Sequence, residues 1–578
     1  MLRFKLLFPL CLVLLAACAH QVPKAALSKS TESERGGNAD LSTKGRDLPN
    51  QALSEQVLYQ FLLAEISGQR GKLNLSTRAY LEVLKATRDP RIAQRATEVA
   101  LYARDQAAAL EAAKIWLDLE PDSLQPKQTI VALLINTNDV QAAAPFIKQL
   151  LVQEKQNLGN SLLQLNRLME KHANKETVLD LTQDLVQPYL HLPEAHYALA
   201  VAAYNADRNQ LSLQETDEAL KLRADWESAA LLRGQVLQRD SNSKAIAYWR
   251  QFLSRYPKSK EIRLSYARLL AAEKQHAMAR EEFQKLAADF PDNGDVMLAI
   301  GALSMQLRDW MNAEKQLKRV LDLNYRDPDT VRYYLGQVSQ EQNHFDDALR
   351  WYESVTRGDQ VFAARMGYAE VLAKQGDLPR AREYLRQIYT QDDRQRVLLV
   401  QIEAQLLRDR AMYEEAFNVL GLALRTSPQS TELLYDHAMT ADKLNRLEVL
   451  EADLRRILEI KPDHANALNA LGYTLADRTD RLQEAVSLIE QALKLSPQDA
   501  FILDSMGWAQ YRLGKHEQAL NYLRRAFATR PDPEIAAHLG EVLWSKGKHD
   551  EALAIWRGSL KQHPSNEVLQ GTLKKFAP

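Results

Sequence analysis

Hydrophobic and polar positions divide the chain into three stretches. Residues 6–15 form an apolar run, LLFPLCLVLL, preceded by Arg3 and Lys5. Residues 19–52 are rich in Ser, Lys, Gly, Asn and Thr and show no apolar periodicity. From Leu53 onward, apolar residues recur at helical spacing in short blocks separated by a few polar residues. The clearest pair of blocks is AFILDSMGWAQYRLGKHEQALNYLRRAFATRP, from Ala500 to Pro531. Met506 and Gly507 fall in a first helix, Tyr511 lies one turn further on, and Gly514 ends it. Ala519, Leu523 and Ala526 then form the inner stripe of a second helix. Pro531 stops that helix and sets the turn into the next block.

The arrangement repeats. Prolines at 428, 462, 497, 531 and 564 are spaced by 34, 35, 34 and 33 residues. Small residues echo them at Ala404, Ala438, Gly472, Gly507 and Gly540. A second small residue follows about twelve positions later at Ala416, Ala485, Ala519 and Ala552, with Leu450 as the exception. Upstream, Gly234 goes with Pro257, Ala267 with Ala279 and Pro291, Gly301 with Ala313, Gly336 with Ala348, and Ala369 with Gly376 and Ala381. Units begin near 227, 260, 294, 329, 362, 397, 431, 465, 500 and 533. Ahead of 227 the pattern weakens. Glu194–Ala224 keeps Ala200 and Ala219, residues 57–90, 93–121 and 127–153 are helical pairs of drifting spacing, and 158–190 is a degenerate pair.

This pattern resembles the tetratricopeptide repeat (TPR), in which small residues let two helices approach and large ones fill the gap between neighbouring pairs. The resemblance implies an all-α fold, a superhelical solenoid of close to thirty helices with no sheet. Such arrays make nearest-neighbour contacts and need polar caps. The expected organisation is a signal peptide over 1–17 and a lipidated N-terminus with a disordered tether over 18–52. Degenerate helical or TPR-like repeats follow over 53–192, then about ten to eleven TPR units over 193–566 and a C-terminal cap over 567–578.

The apolar run at 6–15 is too short for a bilayer, which takes about 20 residues. It reads as a signal peptide. Leu15-Ala16-Ala17-Cys18 resembles the bacterial lipobox. That resemblance implies cleavage before Cys18 and lipid attachment there. Ala19, where an Asp would signal retention, implies sorting to the outer membrane, with the chain facing the periplasm. Only Cys11 and Cys18 are present, so a disulfide framework is excluded. The 19–52 tether would have an end-to-end distance of roughly 30 Å.

Composition narrows the function classes. With 578 residues the chain exceeds what one core supports, so it holds several domains or a repeat array. Lys+Arg is 74 and Asp+Glu 75, a net charge of -1 that argues against nucleic acid as a partner. Gly at 21 and Pro at 20 are sparse for this length, which favours helix with short connections.

No constellation carries chemistry. Gly507…Gly514-Lys515 and Gly540…Gly547-Lys548 place six residues between the glycines, where a phosphate loop has four. His516-Glu517 lacks the second His of a zinc helix. There is no G-x-S-x-G, and no cysteine in the mature chain beyond Cys18. The sequence therefore predicts a non-enzyme with no metal, no cofactor and no small-molecule substrate. What remains is a binding surface. By repeat geometry, first helices line the concave face. The candidate protein-binding groove comprises Tyr333, Gln337, Tyr435, Met439, Asn469, Tyr473, Asp504, Trp508, His538, Glu541 and Trp544. Aromatic side chains beside polar groups suit peptide capture, and the same positions also fit inter-repeat core. The Lys/Asn/Arg set of carboxylate-clamp TPRs is not matched.

The opening helical pairs, with LLAEISGQRG (62–71) and TRDPRIAQRATEVALYA (87–103), precede about ten C-terminal repeats. In this layout the chain resembles the large TPR lipoproteins of Gram-negative bacteria, and most of all the LbcA type. Those adaptors bind a periplasmic carboxyl-terminal processing protease and its substrates, peptidoglycan hydrolases. The resemblance implies an outer-membrane scaffold that promotes proteolysis. The alternative is a TPR lipoprotein that assembles an exopolysaccharide or pilus secretion apparatus.

Overall fold

The computed structural model describes residue 49 and residues 53–153, 157–170, 174–390 and 392–576. The expected signal peptide, Cys18 and nearly all of the tether lie outside the described residues. Among the described residues there are 31 α-helices, one 3-10 turn and no strand, an all-α solenoid of helical pairs. None of these helices is long and apolar enough to cross a membrane.

The chain divides into two compact units at Leu323 and Asn324. The first unit contains seven packed pairs and two further helices. It begins with Glu55–Gln69 with Leu73–Thr87, Pro90–Tyr102 with Gln106–Leu119, and Leu124–Asn136 with Val140–Gln153. Leu158–Met169 and Lys175–Val186 follow, but each packs mainly on the next helix, Pro193–Asn205, so the degenerate pair expected over 158–190 does not close on itself. Then come Pro193–Asn205 with Asn209–Leu222, Glu227–Asp240 with Asn242–Arg255, Lys260–Ala272 with His276–Asp289, and Gly294–Gln306 with Trp310–Asp322. The second unit contains seven pairs and a last helix. The pairs are Pro328–Glu341 with Phe345–Glu353, Val361–Lys374 with Leu378–Gln387, Asp393–Arg408 with Tyr413–Thr426, and Thr431–Lys443 with Leu447–Ile460. Ala465–Arg478 with Leu482–Leu495, Ala500–Arg512 with His516–Thr529, and Pro533–Ser545 with His549–Gln562 follow, then Glu567–Phe576.

Local chemistry sets these boundaries. Asp89, Asp327 and Asp532 cap helices whose first residue is proline, each accepting a hydrogen bond from a first-turn N–H. Asp499 does the same for Phe501 and Ile502. Between the helices of a pair, one residue usually takes the left-handed conformation, such as Gly514 at φ 77 or Gly547 at φ 75. Lys515 N–H then bonds back to Gln510 O at 2.9 Å and closes the first helix. The unit expected near 397 has its first helix starting at Asp393. The Asp392 carboxylate accepts from Arg394 N–H at 2.9 Å, which starts the helix four residues earlier.

The regular pairs of the second unit close around small residues. A methyl group on Gly540 would sit 2.1 Å from Trp556 Nε1. On Gly507 it would meet Leu523 at 2.5 Å. Trp556 is fully buried and donates to Ala537 O at 3.3 Å. The last helix covers this end, with Phe576 stacked on Trp556 at 5.6 Å and Leu569 buried.

Candidate interaction surface

Three successive first helices of the second unit, Ala465–Arg478, Ala500–Arg512 and Pro533–Ser545, bring together four of the expected groove residues. His538 stacks on Trp508 at 4.4 Å and lies 6.0 Å from Tyr473. His538 Nδ1 meets Asp504 Oδ2 at 2.9 Å. Trp508 Nε1 donates to Asp477 Oδ1 at 3.0 Å, and Arg512 Nη1 donates to the Asp477 carbonyl at 2.5 Å. Asn469 stands one turn before Tyr473, and its buried Oδ1 accepts no hydrogen bond.

This ladder is largely self-satisfied. Trp508 is 9% exposed and Asp504 6%. Burial pulls the His538 imidazolium down, but the Asp504 carboxylate, backed by Glu534 and Asp477, outweighs it and the net shift is upward. Burial, with Asp477 and Asp504 nearby, pushes the Tyr473 phenol well up. The ladder thus offers a rigid aromatic wall and one protonatable pair.

The other expected residues are placed apart from it. Gln337 Nε2 donates to Tyr333 Oη at 2.9 Å, and Tyr333 packs 6.0 Å from Tyr352, its phenol pushed by burial up to about 12. Tyr352 in turn fills the space left by Gly336 and Gly367. Tyr435 stacks on His464 at 6.1 Å, and Met439 packs against the neighbouring core. Glu541 accepts from Lys575 Nζ at 3.3 Å. Trp544 lies among His549, Trp556 and Phe576, at 4.1, 5.8 and 6.0 Å. It serves the core beneath the last helix.

Sequence reasoning missed a cavity of about 500 Å3 beside the end of Leu378–Gln387. The missing proline at the end of this unit's second helix does not single it out, because the two units before it also lack one.

Comparison with known proteins places this geometry. The model of the tetratricopeptide repeat family matches residues 236–294, 298–360, 335–395, 435–500 and 505–567. Over 511 residues the chain is 34% identical to a TPR repeat-containing protein of Pseudomonas aeruginosa, covering 87% of this chain and 85% of the relative. It is 24% identical over 420 residues to cellulose synthase operon protein C of Pseudomonas fluorescens, covering 58% of this chain and 32% of that protein, so it spans about a third of that relative's length. Among solved structures, the anaphase-promoting complex hetero-tetramer Cut9–Hcn1 is similar at 17% identity over 91% of this chain and 97% of that one, with a TM-score of 0.30.

Proposed function

This chain belongs to the tetratricopeptide-repeat proteins, and from that premise we propose that it is a non-enzymatic, lipid-anchored adaptor at the periplasmic side of the outer membrane. Repeats of this family generally serve as protein-binding scaffolds. In this reading the adaptor binds a periplasmic carboxyl-terminal processing protease and its substrates, cell-wall hydrolases. Cys18 carries the lipid. The reading is carried by one observation: helices succeed one another from Glu55 to Gln562, giving two compact units that each offer their own surface. Two partners held on one scaffold meet at effective concentrations in the millimolar range when geometry allows. Proteolysis then depends on the adaptor without chemistry from it. The layout of lipobox, tether and repeats supports the LbcA-type assignment.

The similarity to cellulose synthase operon protein C favours a second reading, an assembly factor for exopolysaccharide secretion. One experiment separates the two. The tagged, lipidated protein is purified from detergent-solubilised envelopes and its companions are identified by mass spectrometry. A carboxyl-terminal processing protease is expected, with cell-wall hydrolases retained when the protease is inactivated. A polysaccharide exporter or secretin in its place would retire the protease adaptor.

A further inference from the structure

Where the repeat spacing breaks, the second unit opens. Helix Leu378–Gln387 has 10 residues, whereas the two second helices that follow it, Tyr413–Thr426 and Leu447–Ile460, have 14. Four missing residues remove about 6 Å of helix. The chain leaves through Ile388 in extended conformation. The seam left behind is the cavity of about 500 Å3, within the roughly 300–1,000 Å3 of ligand sites. Leu385, Ile388, Val397, Val400 and Leu433 supply apolar walls.

Three charged side chains line it as well. Glu403 is 7% exposed, and its Oε1 accepts from both Arg382 Nε at 2.9 Å and Arg386 Nη2 at 2.6 Å. Its Oε2 accepts no hydrogen bond from the described residues. That oxygen reaches solvent and can accept from an incoming N–H. Arg386 and Arg396 are each 59% exposed. Arg386 uses only Nη2 on Glu403, and Arg396 pairs only with the exposed Asp393. An exposed pair of that kind is weak and readily exchanged.

We propose that this cavity is a docking pocket for an extended segment of a partner protein, in which a large aliphatic or aromatic side chain is followed by Asp or Glu. The apolar side chain fills the seam. A backbone N–H of the segment donates to Glu403 Oε2. The acidic side chain accepts from the free N–H groups of Arg386 and Arg396. A purely apolar segment leaves those groups unpaired, and a basic one meets two arginines. The pocket rests on the adaptor reading only in that it requires a protein partner, not a protease.

The test is fluorescence polarisation of the detergent-solubilised full chain with a positional-scanning library of fluorescein-labelled, C-terminally amidated octapeptides. Selection of Leu, Ile, Phe or Trp followed by Asp or Glu is expected. The selected peptide should bind Val400→Trp, which fills the cavity, at least tenfold more weakly. Arg396→Glu should weaken it at least tenfold and shift selection toward Lys and Arg. No selection, or undiminished binding to Val400→Trp, overturns the proposal. Should Val400→Trp fail to fold by circular dichroism, the exposed Arg396→Glu decides alone. Peptide binding without a captured protease would keep the pocket and remove the protease; a captured protease without peptide selection would do the reverse.

Discussion

The pairs Ala500–Arg512 with His516–Thr529 and Leu124–Asn136 with Val140–Gln153 place different residues at equivalent positions. In the former, the eighth residue of the first helix is Gly507 and the fourth of the second is Ala519. In the latter the same positions hold Val131 and Ala143. Pro90–Tyr102 and its partner use Thr97 and Ala109, Leu158–Met169 and its partner Leu165 and Val178, and Pro193–Asn205 and its partner Ala200 and Ser212. Every one of these residues is buried. Where the two helices pack on each other the contact point is retained while its chemistry changes; Leu158–Met169 and Lys175–Val186 instead pack mainly on Pro193–Asn205. Glycine permits backbone contact with a large side chain such as Leu523. Thr97 and Val131 put a larger side chain at that contact, and Ser212 Oγ donates to Ala200 O at 2.8 Å across the pair.

The largest effect expected from that difference lies at the tightest contact. Gly540→Ala must displace the fully buried Trp556 and should cost about 1–3 kcal/mol. Thr97→Val loses only the hydroxyl that bonds back to Ala93 O in its own helix, at 2.7 Å, and should cost about 0.5–1.5 kcal/mol. Urea unfolding of both variants checks the order. Equal costs would mean that the weak repeats pack as tightly as the regular ones.

The turns sharpen the same comparison. Gly514 and Gly547 hold the left-handed turn position in the last two pairs and Gly71 in the first, while Arg104 at φ 58, Asn138 at φ 67 and Asp207 at φ 56 hold it in other early pairs, and Ala411 and Asn445 in regular ones. A side chain there costs about 1–2 kcal/mol relative to glycine. Arg104→Gly should therefore stabilise the first unit by about 1 kcal/mol, and Gly514→Ala should destabilise the second by a similar amount. Thermal unfolding of the two variants, moving in opposite directions, is the check. A loss of stability in Arg104→Gly would show that the arginine contributes more than its backbone strain.

These particulars explain what could be read from the sequence. The fold class was legible because apolar spacing and the Gly, Ala and Pro positions are written plainly in the second unit. First helices start at 431, 465, 500 and 533, where the units were expected to begin. In the early pairs the helices were legible from periodicity alone, because Thr97, Val131 and Leu165 do not resemble the small residues whose places they take. The groove was less legible. Repeat position alone does not say whether an aromatic faces solvent or its neighbour, and Trp544 turned out to pack beneath the last helix. The cavity arises from four residues that are missing from a helix, and an absent turn leaves no motif.

The smallest expected effect concerns protonation. The Asp504–His538 pair lies within the aromatic ladder of the regular repeats. Because Asp504 outweighs burial, the folded-state pKa of His538 is raised above its unfolded value, near 6.5. Folding then binds a proton. The stabilisation is fully present below about pH 6.5 and is lost as pH rises through the folded value. In hydrogen exchange corrected for intrinsic rates, amides of Ala500–Arg512 should be better protected at pH 6 than at pH 9. His538→Gln, which cannot carry the charge, should flatten that difference while retaining a polar contact to Asp504. Protection that does not vary with pH in the unaltered chain would mean that His538 is held by stacking on Trp508, with its charge contributing nothing.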